Sequence, residues 1–364
     1  MAPISWLSRL PTCFPAILLA LAPRPALAVE GEPSLCEESP PGIVALARHP
    51  ELYNFYFEND LFNGTDSDYT NGVKFSWVSA NLKDYTHDPC LPHWVRQLNR
   101  LLENLHPGKY TSRNMVVTGG QSMFTPRDRN RTNPILNDRP YAGWLYLGLG
   151  YNARDARQMD TVEVNLGVVG PASLARQTQD FVHNQRGIPN FNGWSNQLGN
   201  EFGFQFVAER KNRIWNESGA GLQFDAITHY GASLGNIRTY LNTGLELRAG
   251  SRIPNDFGTS PIRPAGDSNA PLEGPVTRRF SDGGLHAFLS ADARAVAHDI
   301  FLDGNTFSSS HHVDKKHFVG DLATGIAWQW QGGKITYARY IRSKEFTTQE
   351  SMHAFGSITL SLEF

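Results

Sequence analysis

Cysteine is scarce, with three in 364 residues. That excludes a disulfide-built scaffold and a multi-cysteine zinc module. Charge of one sign is equally lacking: 33 Lys plus Arg meet 35 Asp plus Glu, a formal net charge of -2. A near-neutral chain is a poor candidate for a protein that lives on nucleic-acid phosphates. Beyond the N-terminus no apolar run approaches the roughly 18 residues of a spanning helix, so a helical membrane protein is excluded too. A membrane β-barrel is not, because its alternating strands average out in hydropathy. There is no H-E-x-x-H, and no serine elbow between a strand and a helix is read.

What is present begins with an address label. Arg9 precedes an apolar segment, Phe14 to Ala22, and Ala26-Leu27-Ala28 is a small-x-small cleavage site. A signal peptide over 1–28 is expected, followed by a single domain over 29–364. Cys13 would leave with the signal. Cys36 and Cys90 remain, an even count that admits a disulfide in an oxidising compartment.

The mature chain alternates. From His353 onward, Ala354, Gly356, Ile358, Leu360, Leu362 and Phe364 share one face, and Ser357, Thr359, Ser361 and Glu363 the other. Period two is the strand signature. The same pattern predicts strands over 52–60, 70–79, 114–124, 142–152, 160–169, 201–210, 219–229, 237–250, 284–298, 317–330, 333–346 and 352–364. Many run to about ten residues, which is long for a sandwich and suits a tilted strand crossing a bilayer. Tyr53, Trp77, Trp144, Trp194 and Trp330 fall near strand ends, as interfacial aromatics do. The chain ends on a strand terminating in Phe364. The expected fold is an all-β transmembrane antiparallel barrel of about twelve strands with short helices in its connections. Closure is required because a bilayer offers no water to an unpaired edge.

Arg238, Glu246, Arg248, Asp292, Arg294 and His298 would make the lumen polar. A helix is expected within 80–113, from the spacing of Trp94, Val95, Leu98, Leu101, Leu102 and Leu105. A second is expected over 171–187, with Leu174, Phe181 and Val182 apolar and Gly187 as its stop. The Pro-, Gly- and Asn-rich segment 251–283 reads as a long exposed loop.

Three constellations stand out. Glu58 to Gly72 concentrates oxygen donors of the kind Ca²⁺ takes, although the position eleven after Asp66 is Trp77, so it is no EF-hand; an ordinary acidic hairpin remains the simpler reading. Leu136-Asn137-Asp138-Arg139-Pro140-Tyr141-Ala142-Gly143-Trp144 enters a strand. Read blandly, it is a loop followed by interfacial aromatics. His183 lies on the second expected helix, where a histidine is usually a surface residue. Functionally it offers an imidazole able to take a proton from water. His311, His312 and His317 gather in a loop, a better match to adventitious metal binding than to catalysis.

Taken in order, Phe57-Glu58-Asn59-Asp60, Asp68-Tyr69-Thr70-Asn71-Gly72, Asp138-Arg139-Pro140-Tyr141-Ala142-Gly143-Trp144, Gly167-Val168-Val169-Gly170-Pro171 and the Gln179–His183–Gly187 helix resemble the outer-membrane lipid A 3′-O-deacylase family of LpxR type. The resemblance covers essentially the whole mature chain. It implies a bacterial outer-membrane barrel that uses Ca²⁺ to hydrolyse the 3′-linked acyloxyacyl group of lipid A, its partner in the outer leaflet. It implies Asn59, Asp60, Thr70 and His183 as active-site residues, with the metal near Asn59 and Asp60. Arg127, Arg129, Arg131 and Arg139 are the expected contacts to lipid A phosphates. An outer-membrane phospholipase and a passive porin or structural barrel stay open as alternatives.

Overall fold

The computed structural model describes residues 51–60, 68–88, 91–102, 105–106, 110–259, 261–267 and 283–364. The expected signal peptide, Cys36 and Cys90 lie outside the described residues. The strands are β1 (Leu52–Asn59), β2 (Asp68–Val78), β3 (Ser112–Thr125), β4 (Ala142–Arg154), β5 (Gln158–Val169), β6 (Glu201–Gly219), β7 (Leu222–Gly235), β8 (Arg238–Gly250), β9 (Gly284–Asp299), β10 (Phe318–Trp330), β11 (Gly333–Arg342) and β12 (His353–Glu363). Each pairs antiparallel with its neighbours, and β1 closes on β12 with Leu52 opposite Glu363 and Asn59 opposite Gly356. The expected barrel is the fold observed.

Alternation sorts the two faces. Phe75, Leu147, Phe202, Leu241, Leu289 and Ile326 stand exposed on the outer side. Such a continuous apolar surface is a liability in water and the ordinary lining of a barrel in a bilayer. Glu51 pairs its backbone with Phe364 at one end, where the connections include the two-residue turns 220–221 and 331–332. Ala220 and Gly221 both take positive φ, 52° and 78°, as a tight hairpin matched to strand twist requires. The opposite end carries the long connections 126–141, 170–200, 300–317 and 343–352. Short turns on the periplasmic side and long loops outside are the rule for these barrels.

The inside is filled from the chain itself. The segment after β8 does not lie exposed, as expected; its described part, 251–267, enters the lumen. Asp256, Phe257, Ala265 and Asp267 are buried there. Lys74 pairs with Asp267 at 2.7 Å, Glu209 with Arg263 at 2.6 Å, and Lys334 with Asp256 at 2.5 Å. Backbone N–H groups of Thr259, Ile262 and Ala265 donate to Glu246, Glu58 and Glu163. Proline and glycine suit this path because irregular backbone needs partners, and a ring of lumen carboxylates supplies them. Arg238, Glu246, Asp292 and Arg294 line the cavity of about 90 Å³ that remains, and Arg248 is buried against Asp225. His298 sits at the mouth, bonded to the Asn236 carbonyl and paired with Asp303. Planar bilayers containing the pure protein are therefore expected to show no stable ion conductance; a steady open-pore current would refute a chain-filled lumen.

The aromatic expectation divides. Trp77 Nε1 and Tyr53 Oη both donate to Glu51, at 2.8 and 3.2 Å, at the rim that carries the short turns. Trp330 packs on Trp328 there. Trp144 is corrected: it faces the lumen, stacked on Tyr146. Trp194 is also corrected, being buried within the connection between β5 and β6. Three short helices are described: α1 (His93–Asn99), continued by a 3₁₀ turn Arg100–Leu102, α2 (Ala175–Arg186), and α3 (Ile300–Asp303). Of the expected apolar face of α1, Val95 is buried, while Trp94, Leu98 and Leu101 are exposed.

Candidate functional site between a helix and the outer wall

The strand end at Asn59 sets the corner. Tyr56 and Glu58 point inward, and Glu58 accepts from the Ile262 N–H at 2.8 Å. Asn59 has the parity of Phe55 and Phe57, on the outer side, and sits opposite Asn71 of β2. Asp60 follows and is fully buried. The β2–β3 register shifts between Tyr69 and Asn71, and Asp68 holds a φ of 69°. The bulge turns Tyr69 inward against Phe124 and Phe355. Thr70 is then free to meet Thr125 across the wall, with their hydroxyls 2.6 Å apart. Bulges re-aim side chains in this way near functional sites. Asn59, Thr70 and Thr125 are all buried although they lie on the outer side.

The neighbouring strands β3 and β4 are covered by α2. Gly170, at φ 92°, donates its N–H to the Gly143 carbonyl; Pro171–Ser173 form a 3₁₀ turn, and Leu174 in the left-handed region starts the helix. A Cβ on Gly143 would collide with Ser173 Oγ and Ala175 Cβ. Glycine is thus what lets the helix lie directly on β4. Gly143→Val is expected to lift α2 and abolish activity while the barrel still inserts and resists denaturant. A variant with full turnover would show that the seating of α2 does not matter.

Residues Ala175, Gln179 and His183, one turn apart, form the buried stripe of α2. Ala175 joins Met123, Tyr141, Phe191 and Trp194 in an apolar cluster. Gln179 Oε1 accepts from Trp194 Nε1 at 2.7 Å, while its buried Nε2 has no hydrogen-bond partner among the described residues. His183 is 3% exposed, so it is not the surface histidine that a lone helical position suggests. Gly187 caps the helix at φ 65°, Ile188 N–H donates to the His183 carbonyl, and the chain turns back. The Pro189 carbonyl then lies 3.0 Å from His183 Nδ1. A carbonyl only accepts, so Nδ1 carries a proton, and in the neutral imidazole the lone pair is then on Nε2. The Phe191 ring lies 5.9 Å from the imidazole.

The helix is inside out relative to the expected face. Leu174 and Phe181 are exposed, at 50% and 53%, and polar side chains are buried. A helix in water hides its apolar stripe. One beside lipid need not.

A family model described as the outer membrane protein LpxR matches residues 14–364. The chain belongs to the LpxR family. Its fold is similar to that of LpxR from Salmonella typhimurium, at 16% identity and a TM-score of 0.66, covering 86% of this chain and 100% of that one. Weaker likeness extends to the β domain of the Bordetella autotransporter BrkA, at 9% identity and TM-score 0.38, over 86% of this chain and 98% of that one. No curated protein matches in sequence. Membership of the LpxR family, together with the barrel, places the protein in the outer membrane.

Of the residues implied by the LpxR resemblance, Asn59, Asp60, Thr70 and His183 all lie at the rim of the long loops. Asn59 and Asp60 fit Ca²⁺ by donor chemistry: one amide and one carboxylate oxygen, both hard and shielded from solvent. Among the described residues no group of three or more His, Cys, Asp or Glu converges. Arg127 bonds Glu350 at 2.6 Å, Arg131 is exposed, and the Arg129 carbonyl accepts from Asn192 N–H. Arg139 is corrected. It is 1% exposed on the lumen side, 2.8 Å from Glu345 and 3.5 Å from Asp68, with Phe124 and Phe346 against its guanidinium. Enclosed this way it cannot meet a phosphate in the leaflet; it ties loops together.

Two other patterns settle elsewhere. His311, His312 and His317 each bond a different backbone carbonyl, of Asp138, Ser310 and Val296. Gly231-Ala232-Ser233-Leu234-Gly235 has the letters of a serine elbow but lies inside β7. Ser233 is buried, accepting from Gln205 and donating to the Arg238 carbonyl.

Proposed function

We propose that the protein is an outer-membrane lipid A deacylase that hydrolyses the ester of the 3′-linked acyloxyacyl group, with His183 as general base and Ca²⁺ at Asn59 and Asp60. The observation that carries this is His183 itself: buried on the outer wall and fixed through Nδ1 by the Pro189 carbonyl, which leaves Nε2 of the neutral ring as the base. Beside it lies the apolar ring of Phe191.

The chemistry needs few parts. Nε2 takes a proton from a water, whose oxygen attacks the ester carbonyl; the acyl–oxygen bond then breaks, Nε2 returns the proton to the departing sugar oxygen, and a fatty acid and a sugar hydroxyl result. No covalent acyl-enzyme is required. The buried amide of Gln179 has a donor to spare for the carbonyl oxygen. Thr70, held by Thr125, orients a water or ligand by hydrogen bonding. When bound, Ca²⁺ supplies Lewis-acid stabilisation of the charge that develops on that oxygen. Arg127, Arg129 and Arg131 would face the lipid A phosphates, which suit guanidinium forks. Leu174 and Phe181 keep hydrocarbon beside the site.

The deciding experiment is a mass spectrum of lipid A from cells with and without the protein, repeated on purified protein with and without EGTA. Loss of one acyloxyacyl group, abolished by chelation, is expected. Intact lipid A beside hydrolysed phospholipid would replace this reading with a phospholipase. Full activity under EGTA would remove the metal.

A further inference from the structure

At the periplasmic rim, α1 shows a second arrangement that the proposed reaction does not use. Its Val95 is buried with Leu82, Tyr85, Leu91, Met115 and Tyr151, against partly buried Trp77 and Leu149. Met115, Trp77, Tyr151 and Leu149 share the outer-side parity of the exposed Val117, Phe75 and Leu147. The helix therefore lies on the outside of the barrel, at the level of the Tyr53 and Trp77 girdle. Asn99 fastens it there: its Nδ2 donates to the Tyr85 carbonyl at 2.9 Å, and its Oδ1 accepts from Tyr151 Oη at 2.7 Å.

The remaining faces of α1 are sharply different. Trp94, Leu98 and Leu101 share one flank at helical spacing and are 70%, 53% and 91% exposed. His93, Arg96, Gln97 and Arg100 occupy the other. A fixed apolar flank of this size in water marks a partner surface. Continuity with the lipid-facing wall at Trp77 and Leu149 says which partner. An apolar flank beside a cationic one is the pattern of a helix lying in the plane of a membrane interface, with arginines meeting anionic headgroups.

We propose that α1 is a membrane-seated foot: Trp94, Leu98 and Leu101 lie among the acyl chains of periplasmic-leaflet phospholipid, and Arg96 and Arg100 hold its phosphates. The foot fixes the height of the β2–β4 sector in the bilayer. That sector also carries Thr70, Thr125 and the seat of α2 at the other rim.

Trp94 is its own probe. The full chain and Trp94→Phe would be refolded into phosphatidylcholine vesicles, with and without phosphatidylglycerol, and the difference in their emission assigned to Trp94. Heat-modified gel mobility would confirm that both are folded barrels. Quenching of that emission by acyl-brominated phosphatidylcholine, with protection from iodide, is expected. Adding phosphatidylglycerol should deepen the bromolipid quenching, and Arg96→Gln with Arg100→Gln should remove that gain. Quenching by iodide and not by bromolipid would overturn the proposal by placing the flank in water. Protection from both quenchers would overturn it as well, by showing that protein, such as a second copy, covers the flank.

Discussion

His183→Ala is expected to lower lipid A deacylation by about a hundred- to ten-thousand-fold, the range that a positioned general base contributes. The barrel should be unchanged, because the imidazole sits on α2 and outside the strand ladder, and its stripe neighbours Ala175 and Gln179 keep α2 in place. Turnover of purified variant and wild type, measured by mass spectrometry under identical detergent, checks this. Heat-modified gel mobility would separate lost chemistry from lost folding. Hydrolysis at the wild-type rate in a folded variant ends the role of His183 as base, whatever the substrate. Gln179→Ala should cost less, since its amide assists and does not transfer a proton; a loss of roughly a hundred- to a thousand-fold matches removal of one oxyanion donor.

The barrel was legible because its physics is periodic. A bilayer on one side and polar contacts on the other force a two-residue alternation, and all twelve predicted strands correspond to observed ones. Where the alternation breaks, so did the reading. β6 was expected to stop at 210 and runs to Gly219, because a bulge between Arg213 and Trp215 interrupts the pattern while the β6–β7 hairpin continues. The segment after β8 misled for a different reason. Proline and glycine announce irregular backbone, and irregular backbone is usually at the surface; nothing local reveals that lumen carboxylates await its N–H groups. Arg139 was misplaced because charge spacing in a loop does not say which side of the wall each arginine reaches.

The helices show the limit most clearly. Periodicity located α1 and α2 but could not tell which face packs, since the rule that apolar faces turn inward assumes water outside. Phe181 and Leu98 point away from the protein, and His183 and Gln179 point toward it. Burial of a histidine on an otherwise exposed-looking helix therefore needed the structure. The one sequence signal that could have found it is Gly143, since a glycine between Ala142 and Trp144 in a wall strand marks close approach by another backbone.

Arg139→Ala should loosen the rim and, through it, the site. Arg139 is enclosed with Glu345 and Asp68, and Asp68 immediately precedes Tyr69 and Thr70. Removing one partner of a buried pair strands the other charge, at a cost of about 3–5 kcal/mol. Here Arg342, 3.5 Å from Glu345, offsets part of it, so the lower figure is the better expectation. Burial would push the Glu345 carboxyl up, but the Arg139 and Arg342 guanidiniums reverse this and hold it at about 2. A carboxyl depressed in the folded state contributes stability above its ordinary value of about 4.3 that is lost as pH falls toward 2. With the intrinsic pH dependence of amide exchange divided out, protection of loops 126–141 and 343–352 should therefore be constant in the wild type from neutrality to about pH 5 and fall on further acidification. In Arg139→Ala exchange should be faster already at neutral pH, with kcat reduced as Asp68 and the Thr70 corner lose their tether. Adding Glu345→Gln should restore much of the protection, since a neutral amide is cheaper to bury alone than a carboxylate. If Arg139→Ala left exchange and turnover untouched, or if the double variant fared worse than the single, Arg139 would not be the clamp that holds this corner.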